Sequence, residues 1–434
     1  MSGSKVKKIK RFIFLKDVAV LALTAFGGPS MHIALFERRM VQLKKYLTEE
    51  ELLELYSLAQ MLPGPSSTQT ITAMGYKFGG PFLAFLTLMV WVLPAFLLMT
   101  ACSFLFVFLD QEVTQRVFRF IQPLAVAFVF TAGLNMALKV NKGSLRFVLM
   151  GLAFVIVALL RHWLEQYVKT PWMFPVILIG GGVVSYFLGK KDTELVKNEQ
   201  EIKSKIVVKW RYLVVFALIF VLAGLLVKLG AGQDSGFAHR SFVLFENTYR
   251  FGSLVFGGGN VLIPMMFDQF VQYQHWILPE EFLTGIGLNP AVPGPVFTVA
   301  TYSGGLIMRD FGMHAQIWGC FIATIGIFLP GTLMIFFVYP MWDSIKNYKI
   351  IRRSLDGVIA ASSGLVLAAG YLLFMPVAFR WKVKNSFHYT NLQDVDFVNY
   401  FNIALVILLA LMLQKFKIPT PIWVLLCILA GIIF

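Results

Sequence analysis

This chain breaks its own apolar runs with glycine and proline, and it does so twice at the same spacing. Phe26-Gly27-Gly28-Pro29-Ser30 is followed by Pro63-Gly64-Pro65-Ser66-Ser67-Thr68-Gln69. The pair returns as Phe256-Gly257-Gly258-Gly259-Asn260 and Pro293-Gly294-Pro295-Val296-Phe297-Thr298. In each copy 37 residues separate the leading Phe from the leading Pro. Other matches fall close to the same register: Leu47-Thr48-Glu49-Glu50 with Leu278-Pro279-Glu280-Glu281, Ala59-Gln60 with Asn289-Pro290, and Leu93-Pro94 with Leu329-Pro330. The chain is a duplicated unit. Within a bilayer, non-helical backbone is tolerated only where it is buried in protein or lines a polar cavity. One such break alone would read as a helix kink. Two different breaks, each repeated at equal spacing, point to a shared transport site.

Composition places those breaks in a membrane. Of 434 residues, 58% are hydrophobic and 14% charged, with a mean hydropathy of +0.72, whereas soluble domains carry about 25% charged residues. The net charge of +15 could suggest nucleic acid. However, Lys and Arg sit in short clusters between apolar runs, the pattern of the positive-inside rule, so nucleic-acid binding is excluded as a reading. Cys102, Cys320 and Cys427 lie in apolar runs far apart, which indicates neither a disulfide framework nor a metal site. The basic start from Lys5 to Arg11 resembles a signal peptide. Lys16-Asp17 interrupts the run behind it and no clear cleavage site follows, so it reads as a first helix.

The expected fold is an all-α polytopic membrane protein built from two inverted-topology repeats. Each repeat has two Gly/Pro-broken re-entrant hairpins and four transmembrane helices. Residues 1–188 form the first repeat, 189–210 a basic cytoplasmic linker, 211–229 an extra transmembrane helix and 230–434 the second repeat. The first hairpin runs from Phe12 through the break to Val41, with basic residues at both ends. Its opening arm reaches about 22 Å at ~1.5 Å per residue, short of a ~30 Å hydrocarbon core. The second hairpin joins 49–62 to 66–78. Spans follow near 82–108, 118–138, 146–162 and 172–188. In the second repeat the hairpins cover 241–273 and 280–308, with spans near 313–340, 355–378, 400–414 and 419–434. The charged loops place the N-terminus in the cytoplasm and the C-terminus outside. The external loop 380–398, with Arg380, Lys382 and Lys384, is a mild violation. The protein is expected to be multi-pass in the cell (inner or plasma) membrane.

Each break exposes the start of a following half-helix, at Ser30, Ser66, Asn260 and Val296 or Thr298. A helix start has free N–H groups and about half a positive charge, which favours anions. Hydroxyls on Ser30, Ser66, Ser67, Thr68 and Thr298 stand where capping groups belong. Four such ends meeting at the midplane would form a donor-rich pocket suited to an oxyanion, with glycine allowing close backbone approach. Val296 and Phe297 replace Ser66-Ser67, so the site is expected to be asymmetric. Gln69 and Asn289 flank the PGP breaks as candidate ligand contacts.

His32, Glu37, Arg38 and Asp268 are candidates for proton coupling. For His32 the alternative is a packed, hydrogen-bonded helix residue, and for the acids a solvated interfacial position. Lys77 and Arg309, at the ends of the second hairpins, are expected to snorkel. No His-and-acid arrangement supports Ser66 or Ser67 as a nucleophile, and there is no P-loop or Rossmann glycine pattern. Neither an enzyme nor a cofactor is expected.

These segments resemble the chromate ion transporter (CHR) family. The matching residues are Phe26 to Ser30 with the following Glu37-Arg38-Arg39, Met61 to Gln69, Phe256 to Asn260, and Asn289 to Thr298. The resemblance covers essentially the whole chain, in the two-copy layout of long-chain members. It implies efflux of chromate, with sulfate as a related tetrahedral dianion, driven by the membrane potential or a proton gradient. Chromate follows from the resemblance alone; the helix ends argue only for an oxyanion. A passive channel of the same fold, or a membrane enzyme or subunit, are the competing readings. A homodimer is a candidate assembly.

Overall fold

The computed structural model describes residues 11–108, 111–140, 144–158, 173–188, 208–229, 236–256, 259–342, 349–378, 397–416 and 418–433. Helices and turns make up these residues, with no strand among them. Helix α1 (Arg11–Thr24) stops before Gly27 and Gly28, whose φ values of 87° and 80° lie where only glycine is unstrained. Pro29, with φ already fixed for a helix, then opens α2 (Pro29–Phe36), which loosens into a π-helical segment over Glu37–Leu43. Thr48 and Glu51 form a reciprocal capping box at the start of α3 (Glu49–Met61). Beyond the Pro63-Gly64-Pro65 break, α4 (Ser66–Ser103) contains both the expected returning arm and the expected first span. Non-helical Gly79 and Gly80 divide them.

Short α5 (Leu105–Phe108) and α6 (Gln111–Val117) lead to α7 (Ile121–Val140), α8 (Ser144–Ala158) and α9 (Met173–Leu188). After α10 (Trp210–Leu229) comes α11 (Phe237–Leu254). A 3-10 turn (Gly259–Val261), α12 (Leu262–Met266) and a second π-helical segment (Phe267–Tyr273) follow. The chain continues through α13 (Pro279–Leu288), α14 (Val299–Met308), α15 (Met313–Val338), α16 (Lys349–Ala378), α17 (Phe397–Lys415) and α18 (Thr420–Ile433). Among the described residues, five helical stretches are long and apolar enough to cross a membrane: Ser66–Phe108, Ile121–Leu138, Trp210–Leu229, Met313–Met341 and Asp356–Ala378.

The duplication is visible in backbone detail at an offset of 230 residues. The π-helical segments Glu37–Leu43 and Phe267–Tyr273 correspond. So do the left-handed residues Lys45 (φ 54°) and His275 (φ 53°), and Gly64 (φ 119°) and Gly294 (φ 125°).

Side-chain exposure marks the lipid face. On α4, Phe82, Phe85, Met89, Leu93 and Leu97 are all exposed, while Leu83, Ala84, Thr87 and Trp91 are buried. An apolar stripe at helical spacing on the outside needs an apolar solvent. Helix α10 is peripheral: Ala223 is its one fully buried residue, and Tyr212 and Phe216 are half-buried on the same face.

The two sequence halves interleave. Helix α4 packs with α1, α3, α14 and α15, and α15 packs in turn with α10, α11 and α14. A second group forms around α16, which packs with α7, α8, α9 and α17. Each group therefore mixes helices from both halves. Close approach relies on small residues: a Cβ on Gly304 of α14 would sit 2.4 Å from the Gly319 carbonyl of α15.

Candidate functional site

The breaks of the two halves meet and brace one another. The Gly64 N–H donates to the Val255 carbonyl at 2.7 Å, and the Gly294 N–H donates to the Ala25 carbonyl at 2.8 Å. Ala25 and Val255 each follow a helix that has just ended, where carbonyls lack intrahelical partners. Each PGP glycine thus satisfies the helix end of the opposite half. Close approach tightens the junction. A Cβ on Gly294 would lie 2.7 Å from Ala95 Cβ, and one on Gly64 would lie 3.4 Å from Gly331 Cα. A Cβ on Gly259 would lie 3.0 Å from the Val296 side chain, and one on Gly28 3.8 Å from it.

The start of α4 is the most polar part of this junction. Its N-cap is Pro65, which makes no side-chain cap, and the first backbone bond runs from Gln69 N–H to the Pro65 carbonyl. The N–H groups of Ser66, Ser67 and Thr68 precede it, without intrahelical acceptors. All four residues from Ser66 to Gln69 are buried. Thr70 and Thr72 turn their hydroxyls back onto the Ser66 and Thr68 carbonyls. By contrast, Ser67 Oγ reaches His32 Nδ1 at 3.0 Å, and Thr68 Oγ1 accepts from Trp91 Nε1 at 3.2 Å. Trp91 sits edge-on to His32 and Phe36, each with ring centroids 5.4 Å apart. One indole thereby ties α2 to the start of α4. Gln69 folds back and donates from Nε2 to the Pro63 carbonyl at 2.7 Å.

The second copy uses its polar groups differently. Val296–Thr298 is a 3-10 turn and the α-helix proper begins at Val299. Thr298 Oγ1 donates to the Pro295 carbonyl at 2.8 Å, and Asn289 Nδ2 donates to the Val296 carbonyl at 3.1 Å. Both side chains are engaged in holding the break itself. At the first break, α2 begins at Pro29 with Gly28 as an uncapped N-cap, while the Pro29 and Ser30 side chains lie outside the described atoms. Gly257 and Gly258 lie outside the described residues, as does the Asn260 side chain.

His32 is fully buried, on α2 beside the junction. Glu37 accepts from Gln42 Nε2 at 3.1 Å within the π-helical segment, and Arg38 beside it is exposed. Asp268 is buried, 1% exposed, and so is not a solvated interfacial acid. Lys77 and Arg309 do not snorkel. Each forms an ion pair with the glutamate that accepts from the N-cap N–H of its own hairpin: Lys77 with Glu51 at 2.5 Å, and Arg309 with Glu281. Among the described residues no cluster of His, Cys, Asp and Glu could hold a metal ion.

Three features escaped the sequence reading. Trp91 is hidden in an apolar span that offers no local sign of its partners. Ala95 and Gly331 directly follow Leu93-Pro94 and Leu329-Pro330, so the repeat itself marked them, as places where the opposite half packs. Asp17 accepts hydrogen bonds from Arg39 at 2.7 Å and Tyr46 at 2.6 Å, with Lys44 Nζ at 3.3 Å, and so pins α1 to the end of its hairpin.

Comparison with known proteins agrees with this anatomy. A chromate transport protein of Pseudomonas aeruginosa is 25% identical over 353 residues, 79% of this chain and 76% of that one. One of Cupriavidus metallidurans is 24% identical, with 81% and 80% of the two chains covered. An uncharacterized transporter of Methanocaldococcus jannaschii is 24% identical over 397 residues, 91% of each chain. No solved structure matches. The profile of the chromate transporter family covers residues 13–186 and 242–432, both copies of the repeat. With its paired breaks, lipid-facing helices and a match over both copies, this all-α membrane protein belongs to the chromate transporter family.

Proposed function

We propose that the protein is a secondary-active transporter of a tetrahedral oxyanion, chromate first and sulfate as a related dianion, working outward as an efflux system. The observation that carries this reading is the buried, uncapped start of α4. Three N–H groups and the three hydroxyls of Ser66, Ser67 and Thr68 gather there with no cap, in surroundings where an anion gains most from each donor. The names of the Pseudomonas and Cupriavidus relatives supply chromate as the first cargo to test.

In this reading the Gly/Pro breaks are re-entrant hairpins near the bilayer midplane, the two repeats are inverted, and the N-terminus is cytoplasmic. The reciprocal hydrogen bonds of Gly64 and Gly294 support a twofold relation between the copies. Motion of one sequence half against the other does not suit the interleaved packing. Alternating access instead moves the α16 group against the α4–α15 group, with the junction between them. Residues 27–30, 63–69, 257–260, 293–295, Asn289 and Thr298 line the site in this reading, and His32, Glu37, Arg38 and Asp268 are coupling candidates.

Proteoliposomes loaded at defined pH and potential test the proposal. Labelled chromate should accumulate against its gradient when a potential is imposed, and excess sulfate should compete. Flux that never exceeds equilibrium would instead indicate a passive channel. No flux of either anion by folded protein would refute the oxyanion reading.

A further inference from the structure

The start of α4 presents donors, with one buried acceptor left open beside them. Thr68 Oγ1 receives the Trp91 indole N–H, and an indole nitrogen can only donate. The Thr68 hydroxyl proton is therefore free to be offered elsewhere, and no bond from it to a protein acceptor is formed among the described residues. The backbone N–H groups of Ser66, Ser67 and Thr68 add to this donor set.

Gln69 carries the opposite polarity. Its Nε2 donates to the Pro63 carbonyl at 2.7 Å and approaches the Gly331 carbonyl at 3.4 Å. Flipping the amide would set oxygen against two carbonyl oxygens, so the hydrogen-bond network fixes its orientation. Oε1 is then a buried acceptor with no donor, on a residue only 2% exposed. The amide lies alongside the break because Nε2 reaches Pro63, and glycines at 64 and 331 leave room for it. A Cβ at either would come within 3.1 Å of Nε2.

A fully deprotonated tetrahedral anion has acceptors only; it would satisfy the donors and leave Gln69 Oε1 bare. Resting on the oxyanion-transport reading, we propose that the species bound here is a hydrogen oxyanion. Its single O–H donates to Gln69 Oε1, while its remaining oxygens accept from Thr68 and the first-turn N–H groups. The site then selects oxyanions that keep a proton near neutral pH, such as chromate or phosphate, over strong-acid anions such as sulfate. Each anion carries its own proton across.

Calorimetry on the purified full-length protein tests this. Chromate is titrated about one pH unit above its own pKa, in two buffers of different ionisation enthalpy. About 0.9 proton should be taken up per chromate bound, and the apparent Kd should rise about tenfold for each further pH unit. Sulfate should bind at least about tenfold more weakly with no proton uptake, as expected when a buried acceptor is left unpaired. Gln69→Met should reduce the preference for chromate over sulfate. The wild-type measurement stands without the variant should that variant fail to fold. Chromate binding with no proton uptake would overturn the inference while leaving oxyanion transport intact. Equal proton uptake with sulfate would also overturn it, by assigning the proton to a protein group; among the described residues, buried His32, 3.0 Å from Ser67 Oγ, is the titratable one at the start of α4. Absence of both binding and flux for both anions would remove the transport reading along with it.

Discussion

Gly294→Ala tests whether the two halves brace each other as described. The backbone there has φ 125°, a region an L side chain occupies only at a cost of about 1–3 kcal/mol. The new methyl would also stand 2.7 Å from Ala95 Cβ, about 1 Å inside ordinary carbon–carbon contact. Overpacking of that kind costs about 1–3 kcal/mol, so the total loss is roughly 2–6 kcal/mol. Ala95→Gly removes the clash but not the backbone strain, and on its own costs up to about 1 kcal/mol as a helix glycine. A double-mutant cycle should therefore show a favourable coupling of about 1–3 kcal/mol. The assay is apparent melting temperature in detergent at one fixed scan rate, since such unfolding is commonly irreversible, paired with initial chromate flux. Both should fall in Gly294→Ala and partly recover in the double variant. Strictly additive losses would refute the argument that residue 294 is confined by α4 of the opposite half.

Trp91→Phe keeps the ring edge against His32 and Phe36 and deletes the indole N–H. Losing this buried hydrogen bond costs about 1 kcal/mol, and the smaller ring leaves space at a fully buried position. The melting temperature should therefore fall, and the apparent KM for chromate should rise as the Thr68 hydroxyl is no longer held in place. An unchanged KM would show that Thr68 needs no such partner. Glu281→Gln should destabilise more than Glu51→Gln. The Glu281 side chain is 8% exposed and Arg309 25%, whereas Glu51 and Lys77 are 37% and 28% exposed. Breaking a fully buried pair costs about 3–5 kcal/mol and an exposed one about 0–1, and the half-buried Glu281 pair falls between the two. Thermal melts of the two variants side by side decide this, and equal shifts would contradict it.

Much of this architecture was legible in the residues because it is local. Glycine and proline end helices wherever they stand, so the breaks at 27–29, 63–65 and 293–295 fell where expected. The spans expected at 313–340, 355–378, 400–414 and 419–434 correspond to α15, α16, α17 and α18. The π-helical segments at 37–43 and 267–273 left no sign in composition. Partners distant in sequence were invisible as well: Trp91 to Thr68, Asp17 to Arg39, and Gln69 to Gly331. Lys77 and Arg309 were misjudged for the same reason, since snorkelling is a local rule and their carboxylate partners lie 26 and 28 residues away. The second-copy polar residues read as ligand contacts from their place at the break. Their bonds to the turn were not legible: Thr298 and Asn289 also brace Val296–Thr298, which winds as a 3-10 helix before the α-helix opens.

The nearly unburied α10 bears on how such a chain could be assembled. It fully buries only Ala223 and packs along one face, against α11 and α15, so it serves as a tether between the halves more than as masonry. The cohesion of the molecule lies elsewhere, in α16 lodged among α7 to α9 and in α4 seated against α14 and α15. A polypeptide severed within the α10 connection would keep that whole interlocking surface. Two half-length chains made separately would then meet as a heterodimer with its interface already built, and gene fusion would alter their stoichiometry without redrawing the contacts.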